Sequence, residues 1–164
     1  MSALGSARHP RGGPAPRFLA DVMLERLARW LRALGHDAAS AGAEHDHALA
    51  RRAADEGRWL LTRDRRLAEE CRAAVLVRAS APLEQLREVV ERFGLAPRDP
   101  FSRCLVCNEP LRAATAAEVE GALREVCERH RPEAPRACPR CGRVYWEGSH
   151  TRRMRAALRT VLEL

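Results

Sequence analysis

Two C-x-x-C pairs restrict this chain more than any other feature: "CLVC" at 104–107 and "CPRC" at 138–141. Each pair lets two thiolates approach one ion from a tight turn, and two such turns complete a tetrahedral all-sulfur site that favours Zn²⁺. The alternatives are a redox dithiol and unliganded core cysteines. Between Cys107 and Cys138 lie 30 residues, more than the roughly 15–20 common in zinc ribbons. A helical stretch at 116–127, "AAEVEGALREVC", fills that gap. Cys127 and His130 form a rival ligand pair closer in sequence, but Gly142 directly after "CPRC" permits the left-handed backbone of a metal knuckle. The expected ligands are therefore Cys104, Cys107, Cys138 and Cys141, with Cys71 and Cys127 as small core residues. A closed site of four thiolates has no open position for water or substrate, so this zinc is structural. Cysteines used for metal rather than disulfides also suggest a reducing compartment, the cytoplasm by default.

Upstream of the cysteines, short apolar runs alternate with helical patterns. "RFLAD" at 17–21, "RWLLT" at 58–62 and "AAVLVR" at 73–78 read as strands. Helices are expected at 22–35, with Leu27, Trp30, Leu31 and Leu34 on one face and Gly35 at its end, and at 46–57, 63–72 and 82–94. This alternation argues for an α/β domain built on a parallel sheet covered on both faces. "LAPRDP" at 95–100, with two prolines, is the best linker signal. The expected organisation is a disordered leader over 1–16, an α/β domain over 17–94, a linker over 95–100, and a zinc-ribbon domain over 101–164 that ends in a basic helix near 149–162, with Met154, Leu158, Val161 and Leu162 inward.

Charge narrows the partners. The chain contains 29 arginines and no lysine against 22 acids, for a net charge of +7. Such a balance suits a polyanion, and the planar arginine fork grips phosphate bidentately. The longest uncharged apolar runs, such as "AAVLV" at 73–77, fall far short of the roughly 18–20 residues needed to cross a bilayer. The leader has no apolar stretch of the secretory kind; its arginines leave a transit peptide as the alternative to disorder.

Candidate catalytic groups are acids at strand ends. In a parallel sheet the carboxyl ends of neighbouring strands share one edge, where open α/β sheets place their ligand crevices. Asp21 and Asp64 each follow such an end, and Asp46 begins the second helix. Each could simply cap a helix or complement its dipole. If the carboxylates meet, their mutual repulsion calls for a hard cation, and all-oxygen ligation suits Mg²⁺ or Mn²⁺. Arg63, Arg65 and Arg66 flank Asp64 and could hold a phosphodiester, or simply face solvent. Arg26, Arg29 and Arg32 lie away from the leucines of the first helix, as an RNA track or as an exposed face paired with Glu25. Tyr145 and Trp146 could stack on unpaired bases or pack beside a knuckle. His150 either touches phosphate or is preceded by the residue that caps the last helix, Ser149. His36, His45 and His47 show no ligand spacing and are expected at the surface.

Four blocks in order, "FLADVMLERLARWLRALGHDAA", "LLTRDRRLAE", "RCLVCNEPL" and "CPRCGRVYWEGSH", resemble the Mut-seven C-terminal RNase domain family over roughly residues 17–152. The resemblance implies a PIN-like α/β fold with an appended zinc ribbon, and metal-dependent endoribonuclease activity with Mg²⁺ or Mn²⁺; the expected substrate is single-stranded RNA. Asp21 matches the family's first-strand acid, Asp64 the acid of its T-R-D block, and Asp46 the intervening acid, with Glu44 as a nearby competitor. These three would ligate the cation, with Arg63 and Arg65 on the phosphate. Two other functions fit the same residues: a non-catalytic RNA-binding module whose acids only cap helices, and a toxin-like nuclease silenced by an inhibitory partner protein.

Overall fold

The structure is a computed structural model that describes residues 14–123 and 133–162. The rival ligands Cys127 and His130, the end of the helix expected at 116–127 and most of the 1–16 leader lie outside the described residues.

"FLA" forms strand β1 (Phe18–Ala20), with every residue buried. A single 3₁₀ turn at Val22–Leu24 leads into helix α1 (Glu25–Ala33). Strand β2 (Ala38–Ser40), helix α2 (Asp46–Asp55), strand β3 (Trp59–Thr62), helix α3 (Arg65–Glu70), strand β4 (Ala74–Leu76) and helix α4 (Pro82–Phe93) follow. The four strands form one parallel sheet in the order β2-β1-β3-β4.

Side chains alternate across a strand, so each face of the sheet meets a different set of helices. Phe18, Ala20, Leu61 and Val75 pack with Leu27 and Leu31 of α1 and Leu86 and Val89 of α4. Leu19 and Leu60 point the other way, onto Leu49 and Ala53 of α2 and Leu67 of α3. Coverage of both faces explains why β1 and β3 read as continuous apolar runs rather than alternating ones.

β2 has no sequence signal. "AAS" lacks the branched and aromatic residues that mark a strand. It is an edge strand held by backbone pairing to β1, in the register Ala20↔Ser40. Gly35 sits at the turn before it with φ +87°, and a Cβ there would lie 1.6 Å from the carbonyl oxygen of Arg98. Only glycine lets the two segments approach this closely. The Arg98 N–H donates to the Leu34 carbonyl at 2.8 Å, and the Phe101 N–H to the Ala33 carbonyl at 2.9 Å. The proline-rich segment is thereby fastened to the end of α1, and Leu95 within it is buried.

Beyond it, strands β5 (Arg112–Ala113), β6 (Arg136–Ala137) and β7 (Val144–Tyr145) make a small antiparallel sheet, with helix α5 (Ala116–Leu123) between β5 and β6. The last helix, α6 (Ser149–Leu162), returns to the main core, where Met154, Leu158 and Val161 are buried together with residues of α1 and α4. No helix among the described residues is long and apolar enough to cross a membrane.

Two surface expectations are corrected. His36 is 3% exposed, its Nε2 3.0 Å from the Ala96 carbonyl and its ring edge-on to Phe18. The turn at Gly35 directs the ring inward, which residue spacing does not reveal. Arg32 is 1% exposed rather than on an open helix face, for a reason given below. His45 and His47 are exposed, as expected.

Candidate functional site

The carboxyl edge of the parallel sheet is built by β1 and β3. Asp21 follows β1 directly, and its N–H still donates to the Leu61 carbonyl at 2.9 Å, which fixes the residue at the strand tip. Its carboxylate is 8% exposed. The buried hydroxyl of Thr62, last residue of β3, donates to Asp21 Oδ2 at 2.7 Å and accepts from the N–H of Asp64 at 3.0 Å. One threonine thus joins the two acids that lie 43 positions apart. Asp64 caps α3, its Oδ1 accepting the Leu67 N–H at 3.0 Å. Capping occupies that one carboxylate oxygen; no hydrogen bond among the described residues engages Oδ2.

Asp46, in the first turn of α2, is about half exposed, and its Oδ2 pairs with Arg66 at 3.2 Å. Glu44 pairs instead with Arg52 at 2.9 Å. Among the described residues, the acids do not form a group of three ligand atoms within 4.8 Å of one another. Thr62 therefore links Asp21 and Asp64, whereas Asp46 is held by an arginine. Arg63 and Arg65 are exposed beside Asp64 and form no ion pair among the described residues.

The opposite edge of the sheet provides a contrast. Asp37, at the amino end of β2, accepts from Arg58 at 2.6 Å and from Arg17 at 3.2 Å. Burial alone would push its carboxyl up, but the hydrogen bonds from Arg58 and Asn108 outweigh it and hold the group below the usual carboxylate range. Asp46, Asp55 and Asp99 are likewise each paired with an arginine. Among the described residues neither Asp21 nor Asp64 has such a partner, although three arginines adjoin Asp64 in sequence.

The second site is the sulfur cluster. Cys104, Cys107, Cys138 and Cys141 bring all four Sγ atoms within 4.8 Å of one another. The separations Cys104–Cys107, Cys107–Cys138 and Cys104–Cys141 are 3.4, 3.3 and 3.7 Å. A tetrahedron with Zn–S bonds of about 2.3 Å has S···S edges of about 3.8 Å, so the donor set fits zinc.

The two knuckles are built alike. The Asn108 N–H donates to the Cys104 carbonyl and the Gly142 N–H to the Cys138 carbonyl, each at 3.0 Å. Both residues are left-handed, at φ 67° and 71°. Gly142 has the conformation its sequence position suggested; Asn108 is the other residue type that tolerates it. Burial raises the Cys104 thiol, yet hydrogen bonds from the Cys107 N–H and the Tyr145 hydroxyl outweigh it and bring the pKa down to about 6. A thiolate at that position is ready to ligate metal.

Arg32 ties the first knuckle to the parallel-sheet domain. Its guanidinium donates to the Leu105 and Val106 carbonyls in the first knuckle at 2.9 and 3.0 Å, to Glu25 at 3.1 Å, to the Ala38 carbonyl at 2.7 Å and to the Ser40 hydroxyl. Pairing with Glu25 was foreseeable from the helix; the three carbonyls were not, because two come from a segment more than 70 residues away. Asn108 adds a second clasp, its Oδ1 accepting the Ala38 N–H at 3.0 Å and its Nδ2 donating to Asp37 at 2.6 Å.

Thr62 and Arg32 are what sequence reasoning missed. Thr62 carried a signal, as the first residue of the "TRD" block, but no role was attached to it. Tyr145 packs at the knuckle, with its hydroxyl 3.1 Å from Cys104 Sγ, while Trp146 and His150 line a neighbouring cavity.

Among known proteins, residues 16–158 match the family model described as the Mut7-C RNAse domain. No curated protein and no solved structure matches the chain.

Proposed function

Since the chain belongs to the Mut7-C RNAse domain family, a nuclease family, we propose that it is an endoribonuclease that hydrolyses RNA phosphodiesters with Mg²⁺ or Mn²⁺ at the carboxyl edge of its parallel sheet. The observation that carries this reading is the pair Asp21 and Asp64, bound to one threonine hydroxyl and left without a cation in a chain of 29 arginines. The other aspartates, Asp37, Asp46, Asp55 and Asp99, each pair with an arginine; two aspartates without a counter-charge among the described residues suit a divalent ion.

Asp21 and Asp64 would hold that ion, each with one oxygen already oriented by a hydrogen bond. Asp46 is the third proposed ligand, and it joins them when Arg66 turns to a phosphate instead. A bound divalent cation at this edge supplies a lowered pKa for attacking water and neutralises charge building on the phosphorus oxygens. Arg63 and Arg65, exposed beside Asp64, would take the non-bridging phosphate oxygens and fix the scissile bond. The four-cysteine cluster could bind zinc in a structural role.

The test is cleavage of a single-stranded RNA with Mn²⁺ by wild type, Asp21→Asn and Asp64→Asn. Asparagine keeps the size of each group, and at position 64 it still caps the helix. Cleavage is expected to fall at least about a hundredfold in each variant with an unchanged circular dichroism spectrum. Full activity in both would refute the assignment. RNA bound by wild type but never cut would favour the non-catalytic binding module.

A further inference from the structure

A cavity of about 570 Å³ opens between α1, the first knuckle and the start of α6. Its volume falls within the roughly 300–1,000 Å³ typical of small-molecule pockets. Five arginines and two glutamates line it. One of those acids, Glu147, is already paired with Arg155 at 3.2 Å, so the lining is strongly positive.

Its aromatic groups are differently employed. The hydroxyl of Tyr145 is fixed on Cys104. The Trp146 carbonyl accepts the Thr151 hydroxyl at 3.0 Å, and its partly buried indole lies beside Gly148. The half-exposed indole makes no side-chain hydrogen bond among the described residues, and it faces a cavity with Arg29, Arg103, Arg143 and His150 on its walls. A partly exposed indole that lines a cavity together with arginines offers the chemistry that grips a nucleotide: the ring stacks on the base and the arginines take the phosphates.

We infer that this cavity is a subsite for one unpaired nucleotide of an RNA strand, with the base stacked on Trp146 and its phosphates on Arg29 and Arg103. The inference rests on the proposed ribonuclease function for the identity of the polymer. A duplex buries its base faces, so the subsite selects single-stranded RNA. Its position suits a strand that continues to the acids. Arg29 follows Asp21 by a 3₁₀ turn and the first turn of α1, about 14 Å by helical rise. That is about four steps of a stacked strand at about 3.4 Å each.

The experiment is fluorescence anisotropy of a labelled ten-nucleotide single-stranded RNA with the zinc-loaded full chain and no added Mg²⁺ or Mn²⁺. Trp146→Ala is expected to weaken binding by about tenfold or more, Trp146→Phe to retain most of it, and Arg29→Ala to weaken it several-fold while lowering the salt slope by about one. Annealing the complement should weaken wild-type binding as much as Trp146→Ala does. Arg29 is exposed and unpaired among the described residues, so its variant carries the test even if Trp146→Ala misfolds. Wild-type affinity in Arg29→Ala, and in Trp146→Ala where it folds, together with undiminished binding of the duplex, would overturn the subsite. Cleavage sensitive to Asp21→Asn with normal binding in these variants would remove the subsite and leave the nuclease; impaired binding with no cleavage by wild type would do the reverse.

Discussion

A single hydroxyl decides how the acidic edge is organised. Thr62 receives the Asp64 N–H and donates to Asp21, so one hydroxyl at the tip of β3 positions both the acid that follows its own strand and the acid at the tip of β1. Valine is nearly isosteric and removes both bonds. Thr62→Val is expected to lower stability by about 1–3 kcal/mol, because it leaves a buried donor and a carboxylate oxygen unmatched. Ribonuclease turnover should fall about tenfold, on the scale of losing one positioned group, and Thr62→Ser should restore most of it. Steady-state cleavage alongside urea denaturation separates the two effects: a variant that is destabilised but cleaves normally would reduce Thr62 to a packing residue. The acids themselves were legible from sequence because strand-end aspartates follow apolar runs. Their connector was not, since a threonine at a strand end is ordinary strand composition.

Elements with strong periodicity were legible as well: α2 and α4 form where they were expected, and α1 buries Leu27, Leu31 and Leu34 on the face its spacing marks. β2 was invisible, because its three small residues gain their place from β1 beside them and from the knuckle that covers its outer edge. Asn108 provides that cover by accepting from Ala38 N–H, the kind of protection an edge strand requires. Asn108→Gly keeps the left-handed backbone and removes both side-chain bonds. The expected loss is about 1–3 kcal/mol in urea denaturation, with zinc stoichiometry unchanged at about one per chain by metal analysis. Loss of zinc in this variant would mean that Asn108 serves the metal turn rather than the strand. The four clustered cysteines needed no structure to find, since the chemistry of a four-thiolate site restricts their spacing; the attachment of their knuckle to the sheet is tertiary and leaves no periodic trace.

At the scale of the whole molecule, the antiparallel sheet and its cysteines are enclosed by a chain that leaves the α/β core at Leu95 and re-enters it through α6. His36 lies under the departing segment, in contact with Ala96, and Arg98 and Arg103 are the charges nearest it. Burial first, and those two charges after it, lower its pKa below 6.5; the bond to Ala96 offsets only part. The unfolded chain therefore takes up this proton before the folded one does. The stabilisation is complete above about pH 6.5 and is lost as pH falls toward the folded value, with a slope of at most about 1.4 kcal/mol per pH unit. Thermal melts between pH 7.5 and 5 should show this decline, and His36→Gln, which can still donate to Ala96 but does not titrate, should flatten it. An identical decline in the variant would assign the effect to the thiolates instead. Arg32 bears on any attempt to trim the protein. Cutting the chain after α4 would retain every proposed phosphate-cleaving acid yet strip two carbonyl acceptors from a guanidinium that cannot shed its proton. A minimal fragment would thus leave that guanidinium with only Glu25, the Ala38 carbonyl and the Ser40 hydroxyl, and it would need that arginine redesigned before anything else.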